Sequence, residues 1–147
     1  MYNTNMNVAE LLPIIFINLM SIFRKTTKSN QLTFPQTIAL YIIPDQGIEM
    51  SVLSKKIGID LSTLSRLVNG LEKRGFAKRQ ASEKDKRIIK VLLKEEGIFI
   101  REKLDKNFDL MGSFIEKKLN DKNNNIKEAL TKVNWEISKI ILNDEYV

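Results

Sequence analysis

The sequence predicts a mainly α-helical fold with a small β-wing, a winged helix-turn-helix with flanking dimerisation helices. Three features predict it. Residues 50–75 read as a helix, a glycine turn and a second helix. Two short runs of β-formers, 76–80 and 88–93, enclose a polar tip from Ser82 to Arg87. Before and after this block, apolar residues are dense or recur at steps of three and four. The winged part is assigned to 33–94 and the flanking helices to 1–32 and 95–147, within one domain overall.

In chain order, the first helix runs from about Val8 to Ser29. Leu11, Leu12, Ile14, Ile15, Phe16 and Ile17, continued by Leu19, Met20, Ile22 and Phe23, leave it little polar surface. A helix apolar nearly all round must be covered on more than one side, which points to a second subunit. Pro13 falls in its first turn or two, where a missing donor is tolerated. Thr33 and Gln36 are spaced as a capping box for the next helix, whose buried face is expected at Ile38, Ala39, Tyr41 and Ile42 and which Pro44 and Gly47 end. The first helix of the motif spans Glu49 or Met50 to Ile57, with Val52, Leu53 and Ile57 inward. Gly58 supplies the positive φ of the turn, and Ser54 is small where the two helices approach. Asp60 or Ser62 caps the second helix, which runs to Arg74 with Leu64, Leu67, Val68 and Leu71 inward and closes at Gly75. Beyond Lys94 a long helix carries Ile100, Leu104, Phe108, Met111, Ile115 and Leu119. Asp121–Asn125 breaks it, and a last helix carries Ile126, Leu130, Val133, Ile137 and Ile140. These near-heptad stripes predict helix-on-helix association, either within one chain or between two.

Composition bounds the chemistry. A chain of 147 residues, 43% hydrophobic and 29% charged, buries a core without staples. With no cysteine and no histidine, it has no disulfide, no thiolate metal site and no imidazole base. No nucleophile–base pair appears, and Gly58, Gly70 and Gly75 are read as marking helix turns or ends, not a phosphate loop. No enzyme, cofactor or metal is expected. The 11–23 stretch falls short of the ~20 apolar residues of a span and the start lacks signal-peptide features, so a cytoplasmic protein without a membrane partner is expected.

The net charge of +6 is focused. Residues 51–94 hold 12 basic and 4 acidic side chains, net +8; the remainder holds 12 basic and 14 acidic. Positive charge gathered on a helix-turn-helix and its hairpin is the footprint of a polyanion-binding face. On the second helix, Ser62, Thr63, Ser65, Arg66, Asn69 and Lys73 are not committed to the core and are the candidate contacts to double-stranded DNA. Arg66 suits either guanine O6 and N7 or a phosphate. Ser62 serves either DNA or the helix cap. Lys84, Lys86 and Arg87 project from the wing toward the backbone or minor groove. A winged helix kept for protein contacts alone is the alternative, though such a module should have lost the focused charge.

Several stretches resemble the MarR family of transcription regulators over most of the chain. They are Leu32-Thr-Phe-Pro-Gln36, Leu53-Ser-Lys-Lys-Ile-Gly-Ile59, Ser62-Thr-Leu-Ser-Arg-Leu-Val-Asn-Gly-Leu-Glu-Lys-Arg-Gly75, Asp85-Lys-Arg87 and Leu93-Lys-Glu-Glu-Gly97. The resemblance implies a homodimer of triangular outline, its first and last helices interlocked and its two winged lobes facing one duplex with a pseudo-palindromic operator. Family members mostly repress, and many let go of DNA when a small lipophilic or phenolic effector enters a cleft between the two regions. Phe16, Phe34, Tyr41 and Phe99 are candidates to line such a cleft, or else plain core. Asp85 matches the family's wing Asp, a brace for the Arg two residues on. Leu61 stands where the family often has a polar or basic residue, and the wing lacks a Pro-Asp-type turn. The absent cysteine excludes the thiol-peroxide-sensing branch, and the absent histidine argues against histidine-rich zinc sites.

Overall fold

The computed structural model describes residues 5–27, 32–120 and 125–142. The chain divides into two compact units, Met1–Lys106 and Asn107–Val147. The first contains α1 (Val8–Thr27), α2 (Phe34–Ile42), β1 (Ile48–Glu49), α3 (Met50–Ile57), α4 (Leu61–Lys73), β2 (Ala77–Ala81) and β3 (Ile89–Leu93), and the first turns of α5 (Glu95–Leu119). The second contains the rest of α5 and α6 (Asn125–Leu142). The expected break at 121–125 lies outside the described residues up to 124. Among the described residues, no helix is long and apolar enough to cross a membrane.

The core of the first unit lies beneath α4. Leu64, Leu67, Val68 and Leu71 are all buried, as the spacing requires, and meet Ala39, Leu40, Ile43, Leu53, Ala77, Val91, Ile100 and Leu104 in the same core. Local chemistry sets the helix ends. The Thr33 hydroxyl accepts from the Gln36 amide while the Gln36 side chain accepts from the Thr33 amide, a complete capping box. Asn7 and Glu10 make the same exchange at the start of α1. Gly58 turns the chain between α3 and α4 at φ 75°, a conformation that favours glycine. At the end of α4, Gly75 at φ 74° lets its own amide reach the Glu72 carbonyl and that of Phe76 reach the Leu71 carbonyl.

The three-stranded antiparallel sheet has the order β1-β3-β2. Val91 on the central strand pairs with Ile48 on one side and Arg79 on the other. The wing therefore has a third strand beyond the two expected. Two residues are too few to show alternation in a sequence, and only Ile48 is buried. Each predicted strand starts one residue later than expected: Phe76 belongs to the close of α4, and the Ile88 amide to the wing turn.

Other expectations need correction. Tyr41 lies on an exposed face of α2, and Thr37 and Leu40 take the buried positions with Ala39. Val52 is exposed, and Ile57 is half-buried; Ser54 joins Leu53 inside, its hydroxyl donating to the Ser51 carbonyl. Pro13 sits in the second turn of α1, beyond the stretch where the missing N–H has no intrahelical partner to lose. Gly70 lies within α4, not at its end: a Cβ there would come within 2.4 Å of the Gln36 amide nitrogen, so the missing side chain admits the cap of α2.

Two contacts fix the start of α5. Arg101 donates to the Ile43 carbonyl at 2.7 Å and pairs with Asp45, tying α5 to the turn after α2. Gly97 is buried against the Phe76 carbonyl, where a Cβ would stand 2.1 Å from the oxygen. The Phe76 carbonyl is backbone, so it does not yield cheaply. Gly97→Ala is expected to cost about 1–3 kcal/mol of stability through overpacking, read as a lowered urea midpoint; an unchanged midpoint would show that the contact is not tight.

Candidate nucleic-acid interface

Burial of its apolar stripe leaves α4 with one outward stripe, in which residues three and four apart are neighbours: Ser62, Ser65 or Arg66, Asn69 and Lys73. At its N-terminus Asp60, not Ser62, is the cap. The Asp60 carboxylate accepts the Thr63 amide at 2.9 Å, the Thr63 hydroxyl at 2.7 Å and the Ser62 hydroxyl at 2.5 Å. Those donors, the Ser62 hydroxyl first, hold its carboxyl well below the usual carboxylate range. With their protons given to Asp60, Ser62 and Thr63 turn only lone pairs outward. As held, these hydroxyls suit the amino groups of adenine or cytosine better than a phosphate oxygen.

Arg66 and Lys73 are exposed, and among the described residues no hydrogen-bond partner holds either side chain. Leu61 is 52% exposed at the leading end of the helix, so it does not pack inward. In the wing, the turn closes through the Ile88 amide to the Asp85 carbonyl. Asp85 takes the Arg87 amide at 3.0 Å and the Arg87 guanidinium through both oxygens, at 3.1 and 3.0 Å. The brace is therefore present. It lowers the Asp85 pKa and raises that of Arg87, each chiefly through the side-chain bond to the other. The Arg87 side chain remains 91% exposed, so the pair orients the guanidinium and leaves a face free. Lys84 and Lys86 are exposed on either side of Asp85. A hollow of about 400 Å³ is lined by Leu61 and Ser65 of α4 and by Arg87, Ile88 and Ile89 of the wing, among others, which places helix and wing at one surface.

Sequence reasoning missed the residue that joins them. Arg79 on β2 forms an ion pair with Glu72 at 2.7 Å. It also donates to Asn69 Oδ1, to the Ser65 carbonyl at 2.7 Å and to the Ser65 hydroxyl at 3.1 Å, while its amide donates to Glu72 at 2.7 Å. Two expected DNA contacts, Ser65 and Asn69, are thus partly engaged within the protein. The signal was strand alternation: Arg79 shares a face with buried Ala77, and a cation turned toward a helix needs a carboxylate there.

The four aromatic candidates divide. Phe34 and Tyr41 both pack edge-on against Phe23, with ring centroids 5.6 and 6.2 Å apart, and the Arg24 guanidinium lies over Phe34 at 5.3 Å. Phe16 is 61% exposed on α1, and Phe99 is 53% exposed beneath the Lys103 ammonium. Among the described residues, no ring contact joins Phe16 or Phe99 to the Phe23 group.

The Asp60 cap has a pH consequence. Its pKa is depressed in the folded state, so its contribution is complete above the ordinary carboxylate range and is lost as pH falls through it and below. The stability gap between the wild type and Asp60→Ala should be widest near neutrality and close as the solution is acidified below about pH 4. A gap independent of pH, in urea unfolding at stepped pH, would show that the carboxylate charge is not what caps α4.

A family model described as the MarR family matches residues 30–88. The HTH-type transcriptional regulator SarZ of Staphylococcus aureus is 30% identical over 109 residues, covering 71% of this chain and 74% of its own. The SarZ of Staphylococcus haemolyticus is 26% identical over 96 residues, covering 63% of this chain; the chain spans just 65% of that relative's length. Among solved structures, the transcriptional regulator SlyA superposes with a TM-score of 0.77 at 20% identity, over 96% of this chain and 99% of that one. MepR of S. aureus, solved as a DNA complex, gives 0.58 at 21% identity, over 84% and 98%.

Proposed function

The chain belongs to the MarR family, and from that premise we infer that it is a transcription regulator that binds double-stranded DNA at specific sites as a homodimer. The observation that carries this reading is the net +8 of residues 51–94, which span α3, α4 and the wing. Arg66, Lys84, Lys86 and Arg87 are exposed there; the buried stripe of α4 sets the face that carries Arg66, and the Asp85 brace orients Arg87. A winged helix retained for protein contacts would have no use for that charge. The DNA-bound structure of MepR shares the fold, which supports the same use of the surface.

In this reading α4 enters a major groove by its leading turns, with Arg66 on guanine or phosphate and the Leu61 side chain near a thymine methyl. The wing cations follow the backbone or the minor groove beside it. Dimerisation supplies a second lobe and hence a pseudo-palindromic operator. Support comes from α1, where Leu11, Leu12, Ile14, Ile15, Phe16 and Ile17 are all exposed, and separately from α6, where Leu130, Val133, Trp135 and Ile137 are exposed. So much exposed apolar surface marks an association site. Repression is the direction that the family resemblance implies. The regulator would work in the cytoplasm and catalyse nothing. A small lipophilic or phenolic effector would be received where Phe34 and Tyr41 meet Phe23.

Selection of bound duplexes from a random pool tests the reading. A two-fold-symmetric consensus is expected, together with a solution mass twice the 17.0 kDa of one chain. Arg66→Ala should then weaken binding to the selected site about 10- to 100-fold, the equivalent of one lost base or phosphate clamp. A pool that returns no enriched sequence would overturn it.

A further inference from the structure

We propose that Arg79 is a positioning residue that orients the Asn69 side chain with its amide nitrogen, a hydrogen-bond donor, toward DNA. The inference rests on the DNA-binding reading above and deepens it, since nothing in the composition of α4 says which way an asparagine amide faces.

The geometry forces the polarity. An asparagine offers a carbonyl oxygen that accepts and an amide nitrogen that donates. A guanidinium has donors alone, so the end of Asn69 that meets Arg79 must be the oxygen, as observed. Arg79 cannot turn away, because four other bonds hold it: Glu72 takes its Nη1 and its amide, and Ser65 takes its Nη2 through both the carbonyl and the hydroxyl. The Asn69 side chain is exposed on the outward stripe of α4, one turn beyond Arg66, and among the described residues nothing holds its amide nitrogen. What it presents outward is therefore an NH₂ group.

That polarity selects its partner. A free asparagine reads adenine with both ends, accepting from N6 and donating to N7. Arg79 turns that oxygen back toward the protein, so Asn69 does not bring both ends to one adenine. It matches instead an acceptor: the N7 and O6 edge of guanine, or a phosphate oxygen.

A double-mutant cycle on duplexes selected by the wild type tests the coupling. Asn69→Ala is expected to weaken binding about 5- to 10-fold in the wild-type background and less than about 2-fold in the Arg79→Met background, since a freed amide no longer has one orientation. Repeating selection with Asn69→Ala separates the two acceptors. Loss of a G·C preference at one position in each half-site identifies guanine; a uniform loss over all sequences identifies phosphate. Either result supports the assignment. Equal cost in both backgrounds, no cost at all, or an A·T preference at the Asn69-dependent position overturns it. Should Arg79→Met fail to fold, Arg79→Lys replaces it, because one ammonium cannot span Glu72, Asn69 and Ser65 together. If the wild type itself selects no duplex, the regulator reading falls as well; if it selects and Asn69 is silent, this assignment alone falls.

Discussion

The burial of one stripe of α4 is the constraint on which the rest of the site depends. Leu64, Leu67, Val68 and Leu71 sit in a core shared with α2, α3, β2 and β3. Each fully buried apolar side chain contributes about 1.5–3 kcal/mol, more than any exposed ion pair on this surface can offer. Once that stripe is committed, rotation of the helix is no longer free, and Ser62, Arg66, Asn69 and Lys73 must face outward. A recognition surface is in this sense the remainder of a packing problem.

Polar chemistry then does what apolar packing cannot: it sets directions. Asp60 closes the start of α4 and takes the hydroxyl protons of Ser62 and Thr63, leaving their lone pairs outward. Arg79 and Glu72 join the wing to the end of the same helix in a half-buried pair, where partial exclusion of water strengthens each bond. Asp85 aims Arg87 without covering it. None of these pairs needs to add much net stability. Their effect is to hold charged groups on two elements in one relative geometry, which is what binding a rigid polyanion rewards.

Much of this was legible in the sequence. The element order, the four buried residues of α4, the capping box at Thr33 and the turn at Gly58 follow from spacing and from backbone rules that operate within a few residues. What was not legible depended on contacts between distant elements. Strand β1 is too short to carry a period, and Tyr41 and Val52 are apolar residues whose faces only the neighbouring elements decide. The Arg79 clamp was hidden for a different reason. In a basic hairpin one more arginine reads as surface charge, and only its register opposite Val91 places it on the side of α4. The sequence accordingly offers Ser65 and Asn69 to DNA with no sign that a protein group holds one side of each.

DNA binding by this chain depends on a rigid, focused positive surface meeting the phosphates of a duplex. The most direct test is the salt dependence of wild-type affinity for a selected duplex, measured by fluorescence anisotropy. Two lobes that each neutralise a few phosphates predict a log–log slope steeper than about −4. A slope near zero, or no binding at low ionic strength, would contradict it.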